Sequence, residues 1–150
     1  MGGRRARRAA RSQGLGADRP ERRGAGVTAA ESAGPPSLEE SLDLTVPPSG
    51  PGCVECEQAA GWWVHLRRCA ECGHVGCCDT SPSQHATAHF AQTGHRLMRS
   101  YEPGEDWYWD YVTAQAFDGP EPAPPLAHPE DQTTPGPASR VPANWRDLIH

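Results

Sequence analysis

Between Cys53 and His95 the chain sets five cysteines and three histidines in metal-ligand spacing: Cys53-x2-Cys56, Cys69-x2-Cys72, Cys77, then His85-x3-His89-x5-His95. A Cys-x2-Cys bend delivers two thiolates to one ion, and zinc takes thiolate and imidazole ligands in a tetrahedron. The eight ligands complete two such sites with none left over. Imidazole makes up too much of the set for an iron–sulfur cluster, so the expected cofactor is Zn2+, two ions per chain. A sixth cysteine, Cys78, stands beside Cys77 as a spare.

The rest of the chain limits the size of the folded unit. Glycine and proline number 16 each and gather mainly before Cys53 and after Asp118, whereas nine of the ten aromatic residues fall between Trp62 and Phe117. Stretches rich in Gly and Pro and poor in aromatics cannot bury enough apolar surface to offset the entropy of ordering them. The expected organisation is a disordered Arg/Gly/Pro-rich tail over 1–52, a folded domain over 53–118 and a Pro-rich disordered tail over 119–150. A domain of roughly 66 residues needs a metal or disulfides for stability. Disulfides would leave three regularly spaced histidines unexplained. No signal-peptide pattern is visible, because the arginine-rich start leads into no apolar stretch. Reduced thiols and a cytoplasmic setting are therefore expected. No apolar run is long enough to suggest a membrane span.

Residues 1–30 carry eight arginines against Asp18 and Glu21, while 53–118 carries Arg67, Arg68, Arg96 and Arg99 against nine acids. Fingers that bind nucleic acid present a basic face, so nucleic acid is not the expected partner. The cluster Arg4, Arg5, Arg7, Arg8 and Arg11 reads as a solvated extension. All 14 basic residues are arginine, which with the abundant Ala, Gly and Pro gives a GC-rich, bacterial-looking composition.

Residues 62–68 (WWVHLRR) read as a strand, with Trp62, Val64 and Leu66 on one face and Trp63, His65 and Arg67 on the other. Residues 69–73 form a knuckle closed by Gly73, and 74–77 a second strand. A helix is expected from about 83 to 92, N-capped by Ser81 or Ser83 and ended by Gly94. Residues 95–101 and 107–112 read as further strands around a turn at 103–106, and 144–149 as a frayed end. His74 is a candidate to hydrogen-bond a ligand thiolate.

His85 and His89 lie one helical turn apart, so local geometry alone would let them share an ion. The whole run, with Gly94-His95 opening a strand, resembles the UBP-type zinc finger of ubiquitin-specific proteases and of a cytoplasmic histone deacetylase, over about 53–112. The resemblance implies interleaved sites: Cys53, Cys56, Cys77 and His85 in site one, and Cys69, Cys72, His89 and His95 in site two. Some members carry a third zinc, held by a Cys-Pro-His and a late Cys-x2-Cys. Both are missing here, with Tyr108 and Tyr111 at the late positions. Cys78 replaces a family glycine and reads as a buried structural thiol. The expected fold is a small α+β zinc-stabilised domain: a short antiparallel sheet plus one helix, two interleaved zinc sites, and disordered N- and C-terminal arms.

Residues 85–89 have the His-x3-His spacing of zinc proteases, but Ala86 stands where their general-base Glu would follow the first His. Four protein ligands per ion also leave no position for a reactive water. The expectation is a non-catalytic interaction module, a monomer whose partner is a peptide or protein segment. The best-known ligand in the family is the free carboxyl-terminal tail of ubiquitin. It is held in an aromatic-walled pocket where an Arg, two residues after the third ligand of site one, meets the carboxylate. Here that position is Asp79, which repels a carboxylate. No spacing argument brings Arg67, Arg68 or Arg96 into the pocket instead. The other candidate ligand contacts are Trp62, Trp63, Trp107, Trp109 and Tyr111. Reading a ubiquitin tail or similar free carboxyl terminus is one alternative function. A redox- or zinc-responsive switch through Cys78 is the other.

Overall fold

The structure is a computed structural model that describes residues 37–150. The expectations for residues 1–36, the arginine cluster included, lie outside it. Among the described residues no helix is long and apolar enough to cross a membrane.

Two short helices, α1 (Leu38–Ser41) and α2 (Val54–Ala59), precede strands β1 (Leu66–Cys69) and β2 (Val75–Cys77). The main helix α3 (His85–Thr93) leads to β3 (Leu97–Ser100), β4 (Tyr108–Asp110) and β5 (Gln115–Phe117). The strands form one antiparallel sheet in the order β2-β1-β3-β4-β5. This is the expected small α+β fold, with α1, α2 and β5 added to it. Gly94 ends α3 in the left-handed conformation (φ 78°), its N–H donating to the Phe90 carbonyl. The start of α3 differs from expectation. Gln84 takes the N-cap position at φ 52° with no side-chain cap, because Ser81 is buried and accepts the Val64 N–H at 2.8 Å.

Alternation along the strands gives the sheet two unlike faces. The cross-strand pairs Arg67↔Gly76, Cys69↔Met98 and Met98↔Trp109 share one face. α3 lies on it so closely that a Cβ on Gly76 would come within 2.7 Å of the Ala86 nitrogen. The pairs Arg68↔Val75, Arg68↔Arg99, Arg99↔Tyr108 and Tyr108↔Phe117 share the other. Arg68 and Arg99 are only 1% and 4% exposed, which demands partners for their donors.

Those partners come from outside the expected domain. Arg68 donates to the carbonyls of Val46, Ala123 and Pro125, and Arg99 to that of Leu126. The Tyr108 hydroxyl donates to the Pro120 carbonyl. Buried His128 faces Glu102 Oε1 at 3.1 Å with one ring nitrogen and the Pro129 carbonyl at 2.8 Å with the other. Both partners are acceptors, so the ring is held at both nitrogens. Farther on, Trp63 and Gly136 exchange two backbone hydrogen bonds, Arg140 reaches Gly61 and Glu57, and the His150 N–H donates to the Thr80 carbonyl.

The disordered tail expected over 119–150 is therefore corrected: the segment is fastened across the sheet, as is 42–49 on the N-terminal side, through Asp43–Ala70 and Ser49–Gly73 backbone bonds. Composition hid this because few apolar side chains do the fastening. Proline-rich backbone has spare carbonyls, and the domain supplies buried guanidinium donors. The same segment explains a second departure. Residues 62–65 do not alternate, since Trp63 is drawn into the core by its bridge to Gly136 and the strand begins only at Leu66.

Limited proteolysis followed by mass spectrometry should leave a resistant core extending beyond residue 140, and cleavage within 119–128 under native conditions would contradict this packing. Arg68→Ala should cost on the order of 3 kcal/mol in denaturant titration, because it orphans buried carbonyls as well as removing charged donors.

Candidate functional site: two metal centres and an aromatic pocket

Each ligand is placed by local backbone chemistry. Cys53 precedes α2 and Cys56 lies in its first turn, with Ala60 ending the helix at φ 57°. Cys69 closes β1, and the Gly73 N–H returns to its carbonyl at 2.9 Å with Gly73 at φ 84°. A Cβ on Gly73 would lie 2.2 Å from the Pro47 carbonyl oxygen, so no other residue fits there. Cys77 ends β2 and its sulfur accepts the His85 N–H at 3.2 Å. His85 opens α3, His89 follows one turn later, and His95 stands just past the Gly94 cap with its N–H on Thr93 Oγ1.

Two clusters result, Cys53, Cys56, Cys77 and His85, and Cys69, Cys72, His89 and His95, with the ligand atoms of each cluster within 4.8 Å of one another. This is the interleaved pairing that the resemblance implies. The fit to zinc is testable on distances. Zn–S of about 2.3 Å and Zn–N of about 2.0–2.1 Å give tetrahedron edges of about 3.8 Å for S···S, 3.5 Å for S···N and 3.3 Å for N···N. In site one Cys56 and Cys77 sulfurs are 3.9 Å apart, and His85 Nδ1 lies 3.3, 3.4 and 3.5 Å from the sulfurs of Cys53, Cys56 and Cys77. In site two Cys69 to His95 is 3.6 Å, Cys72 to His89 is 3.4 Å and His89 to His95 is 3.3 Å. Both ligand sets therefore fit a tetrahedral zinc ion.

The crowded thiols perturb one another. Hydrogen bonds from Cys53 and Cys56 pull the Cys77 thiol down to about 2. The same contacts, from Cys53 first and then Cys77, push Cys56 up. Zinc takes these cysteines as thiolates. In site two burial pushes Cys69 up to about 12, and burial, then His74 and His95, hold His89 down at about 4. His74, a candidate partner for a ligand thiolate, bonds Glu55 instead. Its Nε2 meets Glu55 at 2.8 Å and its ring stacks on His89, centroids 4.2 Å apart, which orients that ligand.

Cys78 stands outside both ligand sets, buried, with its sulfur 3.5 Å from Ser81 Oγ. Burial raises its pKa, but hydrogen bonds from His65 and Ser81 outweigh that and bring it to about 6.

A cavity of about 240 Å3 opens on the α3 face of the sheet, walled by Trp107, Trp109, Tyr111 and Met98 with Arg67, Asp79, Thr80 and the spare Cys78. Four of the expected contacts, Asp79, Trp107, Trp109 and Tyr111, thus meet in one pocket. Trp62 and Trp63 do not. Trp63 is buried with Cys53, Cys56 and Leu66, and Trp62 is only half-buried and lines no part of the cavity. Arg67 is the residue that spacing could not place. Its guanidinium sits 4.8 Å over the Trp107 ring and donates to the Leu66 carbonyl. Arg68 points to the opposite face, and Arg96 is held by both carboxylate oxygens of Asp110. The alternation of Arg67 with Arg68 hinted at this division, but only the register of β1 with β3 and β4 joins Arg67 to the aromatic row.

Elemental analysis should give two zinc ions per chain. Cys72→Ser and His89→Ala should each remove one ion and unfold most of the domain, while Cys78→Ser should retain both. Acidification should also release metal. An unfolded imidazole titrates near 6.5 and His89 in the fold near 4, so stability present above pH 6.5 is lost as pH falls through that window. Zinc release followed with a chromogenic chelator across pH 7 to about 4 checks this.

Residues 53–121 match the model of the family described as the Zn-finger in ubiquitin-hydrolases and other protein. Among solved structures, the solution NMR structure of protein RPA1320 from Rhodopseudomonas palustris is similar. It is 44% identical, with 65% of this chain and 90% of that chain covered and a TM-score of 0.51. No curated protein matches the chain. The family match spans the whole run of zinc ligands, and the solved relative aligns with this chain at 44% identity over nine-tenths of its own length; the chain belongs to the zinc-finger family of ubiquitin hydrolases and other proteins.

Proposed function

We propose that this zinc finger is a non-catalytic interaction module that takes the free carboxyl-terminal end of a partner's peptide segment into the pocket walled by Trp107, Trp109 and Tyr111. The observation that carries this is Arg67, a guanidinium lining a cavity whose walls include the rings of Trp107, Trp109 and Tyr111. Arg presents five N–H donors in a fork suited to a carboxylate, and one is engaged at the Leu66 carbonyl. At about 240 Å3 the cavity falls below the ~300–1,000 Å3 of small-molecule sites, which suits the last residue or two of a chain. Each ligand set is complete at four protein atoms, which supports a structural role for the metal.

Asp79 opposes the plainest version of this function, capture of a ubiquitin-like Gly-Gly tail, because it adds an acid to the wall that a terminal carboxylate approaches. Calorimetry on the zinc-loaded chain should show short free-acid peptides binding roughly 10- to 150-fold more tightly than their amides, the worth of a charge-assisted hydrogen bond. Arg67→Ala should abolish that difference. Equal binding of acids and amides would overturn the reading.

A further inference from the structure

The pocket carries two opposite charges, and a plain carboxylate reader has use for only one. Asp79 is exposed, yet its position is fixed: Thr87 Oγ1 donates to its carboxylate and Gln84 Nε2 to its backbone carbonyl at 2.8 Å. Both anchors come from the start of α3, so the acid belongs to the rigid wall. Arg67 is fixed by its stack on Trp107. Tyr111 lines the same cavity, stacked on Phe90 at 4.8 Å between centroids. Its hydroxyl feels both charges: burial above all holds it protonated, with a pKa pushed up to about 12, Asp79 adding to the shift and Arg67 opposing it.

Resting on the carboxyl-terminal reading above, we infer that the pocket selects a terminal residue with a cationic side chain, Lys or Arg, whose carboxylate meets Arg67 and whose side-chain cation meets Asp79. The aromatic row Trp107, Trp109 and Tyr111 suits the rest of such a residue, since an aliphatic stem packs on ring faces and a cation is attracted to them. An apolar terminal residue would cover Asp79 without offering it a partner, which is unfavourable. An acidic one would be repelled. A terminal glycine would satisfy Arg67 alone and leave Asp79 opposing its carboxylate.

The test is calorimetry on the full zinc-loaded chain with four-residue peptides identical except at the last position, which is lysine, glycine, leucine or glutamate. Each is used as the free acid, and the lysine peptide also as its amide. The lysine acid should bind about tenfold more tightly than the glycine acid, given one partly exposed ion pair and one cation–ring contact. Asp79→Asn keeps the shape and the exposed position. It should erase the lysine advantage while leaving the preference of lysine acid over lysine amide, set by Arg67, intact. Free acids that bind equally whatever the last side chain, or a lysine advantage that survives Asp79→Asn, would overturn this inference and leave the carboxyl-terminal reading standing. Lysine acid and amide binding alike, or no peptide binding at all, would overturn the carboxyl-terminal reading and this inference with it.

Discussion

The structure depends on the closing of two tetrahedra whose ligands interleave along the chain. Site one reaches from Cys53 to His85 and site two from Cys69 to His95, so neither can form without ordering the segment that carries part of the other. α3 supplies one ligand to each. Three of the seven residues in the main core cluster, Cys53, Cys56 and Cys77, are zinc ligands. Core and metal centre are therefore largely one object. Structural zinc contributes on the order of 10–16 kcal/mol in small fingers, more than a core of this size can supply.

The sheet then separates two kinds of chemistry by the period of its strands. Neighbours Arg67 and Arg68 point to opposite faces and meet opposite fates. Arg67 stays near solvent in an aromatic wall. Arg68 is buried, with its guanidinium donating to three carbonyl oxygens. Burial lowers its pKa, with a smaller push from Arg99 and opposition from Tyr101 and Tyr108. A buried cation without an acid is tolerable when fixed dipoles replace its water. Proline-rich backbone suits that task, being extended, free of ladder partners and well supplied with acceptors.

Function and fold meet at α3. The helix that carries His85 and His89 into the two metal centres also holds Asp79, through Thr87 and Gln84, and stacks Phe90 on Tyr111. The pocket wall is thus tied to the helix that carries ligands of both zinc sites. Pre-ordered walls lower the entropic cost of binding a short, flexible peptide end.

Much of this was legible in the chain itself. Cysteine and histidine spacing determined the metal, the number of ions and the small α+β class, because ligand chemistry is local and each Cys-x2-Cys bend works within a few residues. Gly73 and Gly94 marked their turns for the same reason: only glycine takes those conformations at no cost. Tertiary structure decided the rest. Which histidine joins which cysteines was open to local geometry. The place of Arg67 came from cross-strand register. The core position of Trp63 and the order of residues 119–150 came from contacts across some 70 residues, as between Trp63 and Gly136. Composition reports how much apolar surface a segment carries. It does not report that a buried arginine elsewhere needs that segment's carbonyl groups, and that need is what fastens the C-terminal segment to the sheet.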